Sequence, residues 1–209
     1  FTGQGPPRAS LCFSFVGLLG MLNKLVLIQD KASQISEMLD VMERLCQKWH
    51  SIVPQAQNLA KQLAVSLQGK LPIMYGGDFL IPVALRWKTQ VNENSKAWAF
   101  YRPLPELDHN DVVGYQFPAE LAPKLFIMML RSPLLYQRNL LRYDVTGELL
   151  ERAGISHQTV SGEGQGLLSQ MMSLVLLGDY VSYYLALLYG ADPTPVPTID
   201  YLKQRLAET

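Results

Sequence analysis

A short strand, a glycine-rich turn and a helix follow one another several times between residues 70 and 190, and this repeat limits the possible folds. The clearest strand is the uninterrupted apolar run 125–130, which is typical of a parallel strand buried on both faces. A second strand at 71–75 ends in two glycines, and a third at 157–161 leads into a glycine loop at 162–166. Strands that alternate with helices predict an α/β fold, in which helices cover both faces of a parallel sheet.

Composition divides the chain into three parts. Residues 1–69 are predicted to form a loop followed by linker helices, 70–190 the α/β domain, and 191–209 a proline-rich linker with a C-terminal helix. The opening residues 1–8 are typical of a strand end and the loop after it, so we expect an upstream domain. The predicted helices lie at 9–30, 31–53, 55–68, 79–95, 136–153, 167–189 and 198–207, and a further short strand is predicted at 98–100.

The charge balance excludes several classes of partner. Lys and Arg number 18 against 18 Asp and Glu, so no net field attracts nucleic acid or anionic lipid. Cys12 and Cys46 lack metal-ligand spacing and suit buried thiols in a reducing cytoplasm, which argues against zinc and against disulfides. The apolar segment 11–28 is interrupted by Asn23 and Lys24, which favours a buried or interface helix over a transmembrane span. We therefore expect a cytoplasmic protein with no nucleic-acid or membrane partner.

Two polar clusters interrupt the otherwise apolar chain. Glu93 lies near the end of a predicted helix between Asn92 and Asn94, and asparagine is unfavourable in a helix unless its amide is used. His109 lies in the second cluster, in a loop or at a helix start, and a carboxylate with a histidine can move a proton between carbon and oxygen. The alternatives are a solvated helix end for Glu93 and a cap or exposed side chain for His109. Because ligands of parallel sheets bind beyond the carboxyl ends of the strands, we expect both clusters there.

The other polar motifs have ordinary interpretations. The loop at 162–166 could hold a phosphate with its amides, but it lacks the fingerprint spacing, so a tight turn is the first interpretation. Lys203 lies on the last predicted helix, where an exposed lysine is the default. His50 and His157 are interpreted as packing histidines.

Four motifs, in order along nearly the whole chain, carry a resemblance to a known family. Residues 84–96 contain the Asn-Glu-Asn run around Glu93, and 104–114 contain the Asp-His-Asn run around His109. The other motifs are Gly-Pro-Pro-Arg-Ala at 5–9 and, near the C-terminus, Gly-Asp-Tyr-Val-Ser-Tyr-Tyr-Leu-Ala at 178–186 with Gly-Ala-Asp-Pro-Thr at 190–194. The sequence resembles the bifunctional phosphoglucose/phosphomannose isomerases, which are built from two sugar isomerase (SIS) subdomains.

The resemblance implies an SIS-type parallel sheet flanked by helices, a flavodoxin-like three-layer sandwich preceded by linker helices. Residues 1–69 would then hold the end of a first SIS subdomain and the linker, and 70–190 the C-terminal SIS subdomain. The implied reaction interconverts glucose 6-phosphate or mannose 6-phosphate with fructose 6-phosphate. A proton moves between C2 and C1 through a cis-enediolate, and neither a metal nor a redox cofactor is implied.

The same resemblance assigns roles to individual residues. Glu93 would be the base that transfers the proton, and Arg8 would stabilise the charge of the enediolate. His109 and Lys203 would open the sugar ring, with His109 reaching the site from the partner subunit of a homodimer. The expected sugar contacts are Asn94 and one of Thr194 and Thr198.

One part of the family pattern has no counterpart in this sequence. The Ser/Thr- and Gly-rich loops that hold the sugar phosphate in the first subdomain are absent before Arg8. We therefore expect either a fragment that lacks this subdomain or a non-catalytic, sugar-phosphate-binding or regulatory SIS module with the same fold. A third alternative, an amino-sugar isomerase, is less favoured because the Asn-Glu-Asn and His-Asn pairing belongs to the dual-specificity group.

Overall fold

A computed structural model describes residues 5–208 and contains one parallel sheet of four strands in the order β2-β1-β3-β4. The strands are β1 (Leu71–Gly77), β2 (Phe100–Leu104), β3 (Leu125–Arg131) and β4 (His157–Ser161). The helices are α1 (Leu11–Lys24), α2 (Ala32–Trp49), α3 (Leu59–Leu67), α4 (Ile81–Ser95), α5 (Leu107–Asn110), α6 (Gln137–Arg152), α7 (Leu167–Leu188) and α8 (Pro197–Ala207). The α/β class and the parallel sheet are confirmed, while the strand end predicted in residues 1–4 lies outside the described residues.

Helices cover both faces of this sheet. The β1–α4–β2 connection runs towards one edge and the β3–α6–β4 connection towards the other, so right-handed crossovers put α4 and α6 on opposite faces. The long helix α7 packs on the side of α4, and the predicted linker helices α2 and α3 pack against it. Leu45 of α2 and Leu63 of α3 are both 0% exposed, so these two helices share the core of the domain.

The helix α7 is apolar on every side because it lies in the middle of this helical layer. Within residues 5–208 it is the one helix whose length and composition would also suit a membrane span, and 61% of its apolar window is buried inside the domain. A helix at the centre of a protein core can have this length and composition because other apolar elements surround it.

The prediction of a strand at residues 98–100 was wrong, because β2 begins at Phe100. The alternation of Trp98 and Phe100 reflects two exposed rings that contact each other, with centroids 5.8 Å apart, and not a buried strand face. β2 is an edge strand in which Leu104 is the buried residue, and an edge position also tolerates Pro103.

Of the two alternatives predicted for the first helix, a buried or an interface helix, the buried one was wrong. α1 ends at Lys24, because Val26 has a left-handed φ of 58°, and α1 contains no buried residue. Met21, for example, is 59% exposed. Cys12 on this helix is exposed and Cys46 on α2 is half-buried, so neither thiol lies in the core.

The glycine loop between β4 and α7 binds a carboxylate that belongs to the chain itself. The backbone amides of Gln165 and Gly166 and the hydroxyl of Ser169 donate to the carboxylate of Glu37 on α2, at 2.5 to 3.1 Å. The amide of Gln165 contributes most to lowering the pKa of Glu37, followed by Gly166 and Ser169. The loop thus ties α2 to the start of α7 through an internal anion.

A close approach between α4 and α7 occurs at Gly178. A Cβ atom at this position would lie 2.5 Å from Nε1 of Trp87. Trp87 is 1% exposed and donates from Nε1 to the carbonyl of Leu174 at 2.7 Å, so its ring has no room to move. Glycine at 178 therefore sets the distance between the two helices.

We expect Glu37→Gln to destabilise the fold at neutral pH, and the difference from wild type to shrink in acid. A carboxyl whose pKa is lowered by folding contributes stability above its unfolded-state pKa of about 4.3, and this contribution is lost as pH falls through the folded-state pKa. Urea unfolding of both proteins at neutral pH and near pH 3 measures this difference. Glu43→Gln, on an exposed part of the same helix, is the control. A difference that stays constant between the two pH values would contradict the role of the loop donors.

We expect Gly178→Ala to lower the free energy of unfolding by about 1–3 kcal/mol, because the added methyl group collides with a buried ring. Chemical denaturation monitored by tryptophan fluorescence measures the loss. The control is Gly20→Ala on α1, where an added Cβ meets nothing within 4 Å. Equal unfolding free energies for the two variants would show that the helices can separate without cost.

Candidate active site

The direction of α4 decides where Glu93 lies. A crossover helix between parallel strands runs antiparallel to them, so α4 starts near the carboxyl end of β1 and returns to the edge where β2 begins. Glu93 is in the last turn of α4 and therefore lies at the amino-end edge of the sheet. The expectation that Glu93 falls beyond the carboxyl ends of the strands was wrong, because it neglected the length of this helix.

The carboxyl-end edge holds a different carboxylate at the point where the strand order reverses. Asp78, just after β1, accepts hydrogen bonds from the side-chain amide of Asn139 at 2.7 Å and from the backbone amide of Tyr136 at 3.1 Å. The position where ligands usually bind on such sheets is thus occupied by a carboxylate, and this carboxylate is hydrogen-bonded to the start of α6.

Arg8 and Glu93 form the centre of the candidate site. Nη1 of Arg8 lies 3.5 Å from Oε2 of Glu93, and the side chains are 9% and 34% exposed, respectively. Nη2 of Arg8 also donates to the carbonyls of Pro193 and Thr194, at 2.5 and 2.9 Å. Arg8 therefore connects the start of the described chain, the end of α4 and the segment before α8.

Both ends of the Asn94 amide are hydrogen-bonded beside this pair. Its Oδ1 accepts from Nε of Arg8 at 2.7 Å, and its Nδ2 donates to Oγ of Ser182 on α7 at 2.9 Å. The structure thus places Asn94 as a support for Arg8.

A second set of polar groups joins α4 to α7 one turn earlier. Asp179 accepts from Nη2 of Arg86 at 2.9 Å and from Nε2 of Gln90 at 2.8 Å. Burial raises the pKa of the Asp179 carboxyl, and the contacts with Arg86 and Gln90 oppose this rise. Arg86 also donates to the backbone carbonyl of Arg8 at 3.0 Å, so the two sets of groups are connected.

One cavity of about 390 Å³ brings several predicted residues together. Arg8, Glu93, Thr194 and Lys203 all lie in its wall. Thr198 is exposed at the start of α8 and is not in this wall, which favours Thr194 among the two threonines. Asn94 lines a neighbouring cavity of about 300 Å³ on the other side of Arg8.

His109 lies apart from this cavity within one chain. It is exposed on α5, directly after the carboxyl end of β2, and its sequence neighbours Asp108 and Asp111 form ion pairs with Arg142 and Arg102, respectively. The 15 residues of α4 separate the two ends of the sheet by about 20 Å, at 1.5 Å per residue.

Several residues of the site were not singled out from the sequence. Arg86, Gln90, Asp179 and Ser182 all lie within the quoted motifs, but their pairing depends on contacts between segments about ninety residues apart. Lys96 is a further one: it caps α4 with a left-handed φ of 55° and donates to the carbonyl of Glu93 at 2.5 Å. Burial lowers the pKa of Lys96, and Arg8 adds to this effect.

The residues between 5 and 208 contain no group of three or more His, Cys, Asp or Glu side chains arranged to hold a metal ion. The charged groups of the cavity are a carboxylate, two guanidinium groups and an amine. Such groups can exchange a proton with a bound molecule and stabilise negative charge on it.

A parallel sheet covered on both faces, with these groups at the end of a crossover helix, defines a three-layer α/β domain. Residues 56–206 match the family described as the bacterial phospho-glucose isomerase C-terminal SIS domain. The chain belongs to this family.

Relatives and solved structures agree with this assignment. The chain is 42% identical over 203 residues to a bifunctional phosphoglucose/phosphomannose isomerase of Caldicellulosiruptor bescii, covering 97% of this chain and 60% of that protein. It is 36% identical over 200 residues to the protein of the same name from Aquifex aeolicus, covering 96% and 58%. A crystal structure of a glucose-6-phosphate isomerase like protein from Thermus thermophilus matches with a TM-score of 0.66 and 25% identity, over 77% of this chain and 54% of that one. The chain thus spans about three fifths of the length of these curated relatives.

Proposed function

We propose that the protein is an aldose–ketose isomerase that interconverts glucose 6-phosphate or mannose 6-phosphate with fructose 6-phosphate. The observation that carries this proposal is the meeting of Glu93, Arg8, Lys203 and Thr194 in one cavity. The names of the relatives in Caldicellulosiruptor bescii and Aquifex aeolicus support the same substrates. A cytoplasmic location is part of the proposal.

The groups of the cavity suit each step of this reaction. The carboxylate of Glu93 takes the proton from C2 of the open-chain aldose, the C2–H electron pair forms the C1=C2 bond, and the carbonyl electrons move to O1. The guanidinium of Arg8, which faces the same space, stabilises the charge of the resulting cis-enediolate. Glu93 then returns its proton to C1, and the O2 hydroxyl proton passes to O1 as C2 becomes the ketone carbon. Lys203 exchanges protons with the ring oxygen to open the sugar.

We further propose that a homodimer completes the site with His109 of the partner subunit. Within one chain, His109 and Glu93 lie at opposite edges of the sheet, so His109 can join a Glu93 cavity through a second copy. The exposed apolar side chains on and just after α1, including Leu18, Met21 and Leu25, offer a surface for such an association.

We expect Glu93→Gln in the intact protein to lower kcat for conversion of fructose 6-phosphate by about 10³-fold while KM changes little, because the amide cannot accept the proton. A coupled assay of glucose 6-phosphate formation measures this. Glu43→Gln, on the exposed face of α2, is the matched control and keeps wild-type activity. Unimpaired turnover by Glu93→Gln would refute the proposed base. A wild-type protein that binds fructose 6-phosphate without turnover would favour a non-catalytic module.

Mixing inactive variants tests the shared site. A heterodimer of a Glu93→Gln subunit with a His109→Ala subunit contains one intact site if His109 acts across the interface. Co-expression should then restore about a quarter of wild-type activity, since half of randomly formed dimers are mixed and each has one intact site. Either variant alone is the control. A mixture no more active than its components would show that His109 serves its own chain or has no role.

A further inference from the structure

A closed ring of hydrogen bonds holds Arg8 from two sides. On one side, Nη2 of Arg86 donates both to the backbone carbonyl of Arg8, at 3.0 Å, and to Oδ2 of Asp179, at 2.9 Å. On the other, Nε of Arg8 donates to Asn94, Asn94 donates to Ser182, and Ser182 donates to the backbone carbonyl of Asp179, at 2.7, 2.9 and 2.9 Å. One side of the ring ends on the carboxylate of Asp179 and the other on its backbone carbonyl.

Arg8 needs such a support because its own segment supplies little. It lies in a four-residue 3₁₀ turn, Pro7–Ser10, which contains no buried residue. The ring fixes both the backbone and Nε of Arg8, and this leaves Nη1 directed at Glu93, 3.5 Å away. The orientation of this guanidinium is therefore set by α4 and α7, together with the carbonyls of Pro193 and Thr194, which accept from Nη2.

The negative charge of Asp179 is a second argument for its role. The guanidinium groups of Arg8 and Arg86 line the same cavity, and two like charges at short range repel each other. Asp179 neutralises Arg86 and is itself held by Gln90 at 2.8 Å. Glu93 therefore remains the carboxylate that faces Arg8. Asp179 lines the neighbouring cavity with Asn94 and not the Glu93 cavity, and its carboxylate bonds to Arg86 and Gln90, which do line the Glu93 cavity.

We propose that Asp179 is a positioning residue that sets the guanidinium of Arg8 for stabilising the enediolate. This role rests on the proposed isomerase function. A change at Asp179 then lowers the rate of the chemical step, because Arg8 is displaced, while substrate binding is largely preserved.

A double-mutant cycle in the intact protein tests this role. Asp179→Asn should lower kcat for fructose 6-phosphate about 10-fold with KM within about twofold, and in an Arg8→Gln background the same change should alter kcat less than about twofold. Asp40→Asn, exposed on α2, is the control and leaves kcat unchanged in both backgrounds. Thermal unfolding of each variant identifies any that fail to fold. If Asp179→Asn does not fold, Ser182→Ala breaks the other side of the ring and is judged by the same pattern.

The outcomes separate the two proposals. If Asp179→Asn lowers kcat by the same factor in the wild-type and Arg8→Gln backgrounds, the positioning role is overturned and the isomerase function is left intact. A loss confined to KM would also overturn it. If the wild-type protein has no isomerase activity, the function and the positioning role fall together. Loss of kcat that disappears without Arg8 supports both.

Discussion

The contact between α4 and α7 is the constraint on which the rest of the site depends. Gly178 lets α7 approach the ring of Trp87 closely, and the indole donates to the carbonyl of Leu174 at 2.7 Å. Because the two helices are held at this distance, polar side chains one or two turns further along can form hydrogen bonds between α4 and α7. Those pairs include Gln90 with Asp179 and Asn94 with Ser182. Without this approach, Arg8 would have no ring to hold it beside Glu93.

The two places where a phosphate group would be expected on such a fold are taken by carboxylates of the chain. Glu37 occupies the glycine loop at the start of α7, and Asp78 lies at the point where the strand order reverses. A third carboxylate, Glu93, is left beside a guanidinium in an open cavity. The cavity of Glu93 therefore combines a carboxylate that can transfer a proton with the cationic groups of Arg8, Arg86 and Lys203.

The sequence predicted the class of fold because buried parallel strands and their glycine turns are local patterns. The apolar run of β3 needs no tertiary contact to be recognised, whereas β2 was misplaced because the exposed rings of Trp98, before the strand, and Phe100 imitate strand alternation. Glu93 and Arg8 were found through short motifs, and the structure brings them together. The edge of the sheet predicted for Glu93 was wrong, since the length of α4 determines which edge the residue reaches. Asp179 and Ser182 were not singled out because their roles depend on pairing between two helices distant in sequence.

A crystal structure of the intact protein with fructose 6-phosphate bound tests the central claim most directly. Our account predicts that C1 and C2 of the sugar lie about 3 Å from the carboxylate of Glu93, with Arg8 beside O1 and O2 and His109 contributed by the second subunit. A sugar bound at the carboxyl ends of the strands beside Asp78, with Glu93 and Arg8 out of contact, would contradict it.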